Sequence, residues 1–203
     1  SGRPGPVLID VCKDVQFKST EFDYDAIKLR LPGYHPMRRG QAEQIRGAAA
    51  LINSSRRPVI LAGHGIVLSE AHHELLVLAE KGRIPVSTTL LGIGSMPESH
   101  PLNLRMMGMH GEAFVNQAIA NADLLIALGM RFDDRVTGNL ATYAQGAKVI
   151  HVDIDPAEIG KTVSADVGIV GDVKQVLQQV LPLIEMRDRS AWFAQIEIWR
   201  HDT

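Results

Sequence analysis

Residues 122–138 read ADLLIALGMRFDDRVTG, and the fold follows from how this stretch divides. Leu124 to Leu128 are apolar without a break, whereas a strand with one wet face alternates apolar and polar residues. An unbroken apolar strand ending in a glycine is covered on both faces, and such strands belong to parallel sheets lined by helices. Directly after Gly129 come Arg131, Asp133, Asp134 and Arg135. A buried strand that runs straight into charge has reached an edge of its sheet.

Working outward, apolar runs alternate with helix-period segments from about residue 58. PVILAG (58–63), IPVSTT (84–89), DLLIAL (123–128), AKVIHVDI (147–154) and DVGIVG (166–171) read as strands. EAHHELLVLAEKG (70–82) puts Ala71, Leu75, Leu78 and Ala79 on one helical face, with Ser69 as N-cap and Gly82 as the stop. GEAFVNQAIANA (111–122) is a second helix after a long loop. Asp172 caps a third, with Val173, Val176, Leu177, Val180, Leu181 and Ile184 on one stripe. QAEQIRGAAALINSS (41–55) is a helix leading into the first strand, with Ala42, Ile45, Ala49 and Ile52 on its apolar face. The expected architecture is α/β, a doubly wound, mostly parallel sheet with helices on both faces.

The ends fit this scheme less well. GPVLIDV (5–11) reads as a strand without a following helix, and residues 18–40 are polar, rich in Pro and Gly and unperiodic, as a connector is. Residues 187–203 carry two Trp but have little core left to cover. Both ends look cut from something larger. The expected division is a strand-bearing end of a preceding domain over 1–17, a linker over 18–40, a central domain over 41–185 and a tail over 186–203. With 203 residues, 45% of them hydrophobic, and a net charge of −2, the chain holds one ordinary core and no basic excess, which argues against nucleic acid or anionic membrane as main partner. Cys12 is the single cysteine, so no internal disulfide forms, and it reads as an incidental thiol. A cytoplasmic protein, or one from an organelle of unknown kind, is expected.

Ligands of parallel sheets sit outside the carboxyl ends of the strands. Those ends here are AGHGIVLS (62–69), STTLLGIG (87–94), GMRFDDRVTG (129–138), HVDIDPAEIG (151–160) and GDV (171–173). Together they offer glycines, hydroxyls, two arginines and carboxylates, a set that suits a dinucleotide: Arg and backbone N–H for diphosphate, carboxylate for ribose or adenine. Each piece alone has a plainer reading. GHG lacks the third glycine of the G-x-G-x-x-G pattern and serves equally as a tight strand-to-helix turn. Arg131 and Arg135 could pair with Asp133 and Asp134 in solvent, worth about 0 to 1 kcal/mol. Met106, Met107 and Met109 around Gly108, with His110 alongside, are core filler or a soft wall for a flat ring. The eight histidines show no metal-ligand spacing, so no metal site is expected.

GRPGPVLIDVCKDVQ, RPVILAGHGI, STTLLGIGSMPESHPL, MMGMHG, ADLLIALGMRFDDRVTG and KVIHVDIDPAEIGK together resemble the central domain of the acetolactate synthase (acetohydroxyacid synthase) family of thiamine-diphosphate enzymes. The resemblance covers essentially the whole chain, and departs where Cys12 stands for the more usual Pro. It implies a Rossmann-like domain holding extended FAD at Arg3, at Gly63, His64 and Gly65, at Thr88, Thr89 and Leu90, and at Met107, Gly108, Met109 and His110. Further positions so implied are Gly129, Met130, Arg131, Asp133, Arg135 and Val136, then, at the adenosine end, Asp153, Ile154, Gly171, Asp172 and Val173. It also implies flanking pyrimidine-binding and diphosphate-binding domains, a homo-oligomer and a possible regulatory subunit. Those domains would supply the Glu that activates thiamine diphosphate and the Gly-Asp-Gly motif that holds Mg²⁺, a motif missing from these 203 residues. The chain alone is then expected to bind FAD, to contain no catalytic residue and not to catalyse. A sister thiamine-diphosphate enzyme or a free-standing nucleotide-binding module is the alternative.

Overall fold

The computed structural model describes residues 2–26, 28, 31–33 and 35–202, in two compact units, Ser1–Pro36 and Met37–Thr203. In the first unit the regular element among the described residues is a short helix, α1 (Lys13–Gln16), with no buried residue. The strand expected over 5–11 is not formed, and Val7, Leu8 and Ile9 are exposed. A strand exists through its ladder partner, and the described residues provide none for this segment. Of the connector expected over 18–40, residues 27, 29, 30 and 34 lie outside the described residues, as does the end of the tail at 203.

The second unit contains α2 (Ala42–Ser54), β1 (Pro58–Ala62), α3 (His64–Leu68), α4 (His72–Gly82), β2 (Val86–Thr88), β3 (Asn103–Met106), α5 (Ala113–Ala120), β4 (Leu124–Leu128), α6 (Asp134–Thr137), β5 (Lys148–Asp153), β6 (Val167–Val170), α7 (Val173–Val180) and α8 (Ser190–Asp202). The six strands form one sheet, β3-β2-β1-β4-β5-β6, and every pair is parallel. This is the strand order of dinucleotide-binding folds, in which the chain leaves the centre first in one direction and then in the other. The two directions part between β1 and β4, where Ile60 lies beside Ile126.

Alternate residues of each strand enter opposite layers, which is why unbroken apolar runs were needed. Ile60, Ala62, Leu124, Ile126, Leu128, Ile150 and Val152 join Ile45, Ile52, Leu75, Leu78, Val176 and Leu177 from α2, α4 and α7. Val59, Leu61, Leu125, Ala127 and Val149 join Phe114, Val115, Trp192 and Ile196 from α5 and α8. Burying each such Leu, Ile or Phe contributes about 1.5–3 kcal/mol against exposure, so both layers hold the sheet.

Several local expectations are corrected. Ser69 closes α3, its hydroxyl donating to the Gly65 carbonyl at 2.6 Å, while Glu70 takes a positive φ and α4 starts after Ala71. Gly82 is the last residue of α4, small because a Cβ there would lie 2.7 Å from Ile84 Cδ1, and the left-handed cap falls on Arg83. On α2 it is Ala48, not Ala42, that completes the buried face. Strand β3 lies within the stretch read as a loop, since Asn103–Met106 shows no apolar run and edge strands need none. The packed unit is also wider than 41–185. The Gly40 N–H donates to Gln179 Oε1 at 3.0 Å. The tail forms α8, whose Trp192 is buried and donates from Nε1 to the Pro58 carbonyl at 3.1 Å.

Candidate functional site

The switch point lies where β1 and β4 end side by side. Gly63 donates to the Leu128 carbonyl at 3.0 Å and Gly65 to the Gly129 carbonyl at 2.9 Å. A Cβ on Gly129, which has φ +59°, would stand 2.5 Å from Gly65 Cα. The two turns are in backbone contact, so Gly63, Gly65 and Gly129 are explained by a tight turn packed on its neighbour. The neighbouring side chain of His64 is exposed, with Nδ1 3.0 Å from the Leu91 carbonyl oxygen.

After Gly129 the chain runs extended, with Met130 and Phe132 buried, Arg131 exposed and Asp133 half-buried. This alternation answers why charges crowd the end of a buried strand: the apolar members anchor the segment and the charged members face away from the core. Arg131 Nη2 is 3.7 Å from Asp133 Oδ2, and Arg135 Nε is 4.0 Å from Asp134 Oδ2, loose pairs that leave both guanidinium groups in solvent. Asp133 Oδ1 is buried and has no hydrogen-bond donor. A buried carboxylate oxygen without a donor is costly, and the hydroxyl of a bound molecule would satisfy it.

The loop Met107–His110 is brought to the same place. Gly108, at φ +92°, approaches the Arg135 carbonyl so closely that a Cβ would lie 2.5 Å from it, and Met109 N–H donates to that carbonyl at 2.9 Å. Asn116 of α5 holds Gly108 at both ends, accepting from its N–H and donating to its carbonyl, each at 2.9 Å. Asn116 went unnoticed in the sequence, where a polar residue in a helix carries no signal. The methionines divide: Met107 is core, while Met109 is 61% exposed. His110 is exposed, and the half-buried Val136 packs on the second layer. Next to this loop, Thr88 ends β2, Thr89 caps the following turn by accepting from Gly92 N–H at 3.1 Å, and Leu90 stands 69% exposed.

At the β5 and β6 exits, Asp153 is buried, accepts from Asp155 N–H at 2.9 Å, and has its carboxyl pushed above the ordinary range by burial. Ile154 follows, half-buried. Asp172 caps α7 by accepting from Gln175 N–H at 3.1 Å, Val173 is core, and Gly171 is hemmed in by the Arg38 carbonyl and Val176. These three residues have structural parts of their own. Arg3 belongs to the first unit, and its place in the site rests on the resemblance alone.

A doubly wound parallel domain whose switch point is edged by arginine and carboxylate has the architecture of dinucleotide-binding folds. The family model for the thiamine pyrophosphate enzyme, central domain, matches residues 45–180, and the chain belongs to this family. It is 52% identical over 201 residues to a probable acetolactate synthase large subunit of Methanocaldococcus jannaschii, covering 97% of this chain and 34% of that one. It is 48% identical over 197 residues to the acetolactate synthase large subunit of Corynebacterium glutamicum, covering 95% and 31%. With the acetolactate synthase of Mycobacterium bovis it shares 50% identity over 184 residues, covering 91% and 30%. The chain therefore spans about a third of the length of these curated relatives.

Proposed function

We propose that the chain is the central domain of an acetolactate synthase and that it holds FAD across its strand exits while flanking domains carry the chemistry. The observation that carries this reading is the outward-facing Arg131–Asp133 segment, with its unsatisfied carboxylate oxygen, at the switch point of a domain about half identical to acetolactate synthase large subunits. In this reading Arg131 and Arg135 face the diphosphate, as exposed guanidinium groups can. Asp133 Oδ1 accepts from a hydroxyl of the ribityl chain. Leu90 and Met109 offer an apolar wall to a flat ring, and Asp153 with Ile154 marks the adenosine end.

Thiamine diphosphate with Mg²⁺ supplies the decarboxylation of one 2-keto acid and its joining to another, pyruvate giving 2-acetolactate in branched-chain amino-acid biosynthesis. The residues present do not fit either group. The sequence has no Gly-Asp-Gly, and among the described residues no three His, Cys, Asp or Glu side chains gather as metal ligands. No catalytic step is therefore assigned to this chain. Its partners in this reading are the pyrimidine-binding and diphosphate-binding domains, further copies in a cytoplasmic homo-oligomer, and a regulatory subunit. The segment 5–11 would find its strand partner in the preceding domain.

Flavin fluorescence and an acetolactate assay test the reading. The purified chain should quench added FAD, weakly, because the ring loses cover normally given by neighbouring domains. With pyruvate, thiamine diphosphate, Mg²⁺ and FAD it should form no acetolactate. Failure to take up FAD would remove the cofactor assignment, and turnover by the chain alone would show that the active site has been misplaced.

A further inference from the structure

His151 sits at a position where the pattern of the sheet calls for an apolar residue. On β5 it lies between Ile150 and Val152, which face one layer, and shares the opposite face with Val149. It is 1% exposed. Its Nδ1 is buried without a partner, and its Nε2 lies 2.9 Å from the Met130 carbonyl oxygen. A carbonyl only accepts, so Nε2 carries the proton and Nδ1 is left as a bare acceptor. Placing such a ring in the core costs free energy that Leu or Phe would not, which calls for a use of the N–H.

The use lies in what β5 holds. The Val152 carbonyl accepts from Gly129 N–H at 2.8 Å, so β5 grips two consecutive residues, Gly129 by its backbone and Met130 by His151. Phe132 stands edge-on to the His151 ring, centroids 5.2 Å apart, and Tyr143 stands edge-on to Phe132 at 6.2 Å. Both inward members of the segment 130–133 thus rest on one imidazole, while the outward members, Arg131 and Asp133, are the residues assigned to FAD.

We infer that His151 is a positioning residue, a brace that fixes the Met130 carbonyl and the Phe132 ring so that Arg131 and Asp133 are held ready for the cofactor. The assignment rests on the proposed FAD site. Burial also pushes the imidazole below its ordinary value, against the opposing pull of the Met130 hydrogen bond and of Asp153 and Glu158, which favours the neutral ring.

Two measurements on the whole chain test this. The first uses the unaltered chain without flavin: nitrogen–proton correlation spectroscopy of the imidazoles at neutral pH. A neutral His151 with its proton on Nε2 is expected, and a neutral ring with its proton on Nδ1 overturns the brace. The second compares His151→Gln with His151→Asn, after far-UV circular dichroism has established that each is folded. The Gln amide nitrogen reaches the place of Nε2, whereas the Asn amide reaches that of Nδ1. His151→Asn should weaken FAD binding and speed amide exchange at Arg131–Asp133 each by roughly tenfold, with His151→Gln within about threefold of the parent. Equal behaviour of the two variants overturns the proposal. If the parent chain takes up no FAD, the cofactor reading falls, and the tautomer and exchange results still decide on the brace. A variant that does not fold leaves the tautomer to decide.

Discussion

Replacing Gly129 by Ala tests whether the switch point is held by backbone contact. The cost has two parts. The residue sits at φ +59°, where an L side chain costs roughly 1–2 kcal/mol. The new methyl would also stand 2.5 Å from Gly65 Cα and 3.0 Å from Gly65 N, backbone atoms that cannot swing aside. Forcing such a contact costs a further 1–3 kcal/mol or so. The total is about 2–5 kcal/mol. Gly160→Ala is the control, since that glycine has φ +71° and nothing within 4 Å of a Cβ. It should lose only the conformational part, roughly 1–2 kcal/mol. Urea unfolding followed by circular dichroism gives both values. Equal losses in the two variants would mean that the β1 and β4 turns tolerate separation, and the argument from close approach would fail. FAD affinity should also drop in Gly129→Ala, because Arg131 and Asp133 follow directly.

Three further outcomes are expected. Arg189 is buried at 3% exposure and donates to the carbonyls of Gly82, Ile52 and Ser55, closing the ends of α4 and α2; Arg189→Met should destabilise by about 2–4 kcal/mol in the same unfolding assay, with Arg189→Lys recovering only part because an ammonium cannot fork. The His151 imidazole titrates below its ordinary 6.5 when folded, so its contribution to stability is complete above that value and is lost as pH falls from 6.5 toward the folded value. The midpoint of urea unfolding should therefore decline over that window in the parent chain and decline less in His151→Gln; identical pH profiles would contradict the burial of a neutral ring. Arg131→Ala should weaken FAD binding by about 1.5–3 kcal/mol, against almost nothing for the exposed Arg57→Ala, and equal flavin affinities in titrations of the two variants would sink the assignment of Arg131 to the diphosphate.

The parallel sheet was legible because each of its buried strands obeys one rule. LLIAL at 124–128 needs no neighbour to announce two covered faces, and Asp172 before a stripe of Val and Leu announces α7. Strand β3 obeys no such rule, because Asn103–Met106 lies at the edge and is buried only in part. The tail misled for a related reason. Its apolar residues look surplus until Trp192 is seen under Pro58, a contact across 134 residues.

The sequence by itself determined the class of fold, the strands that would be buried and the places where they end, because side-chain periodicity and glycine or charge at a strand end are local properties. Which of those exit residues face outward was decided by the tertiary structure alone. Met130 and Phe132 turn inward because the second layer has room for them, and Arg131 and Asp133 are thereby left facing away from the core. Asp172, as attractive in the sequence as Asp133, is taken up by capping α7, while Asp133 keeps a buried oxygen without a donor. His151 is the strongest case: a histidine in an apolar run is chemically silent until the Met130 carbonyl of the neighbouring turn is placed 2.9 Å from its ring. Such meanings depend on which atoms lie across the gap, and only the packed chain supplies those.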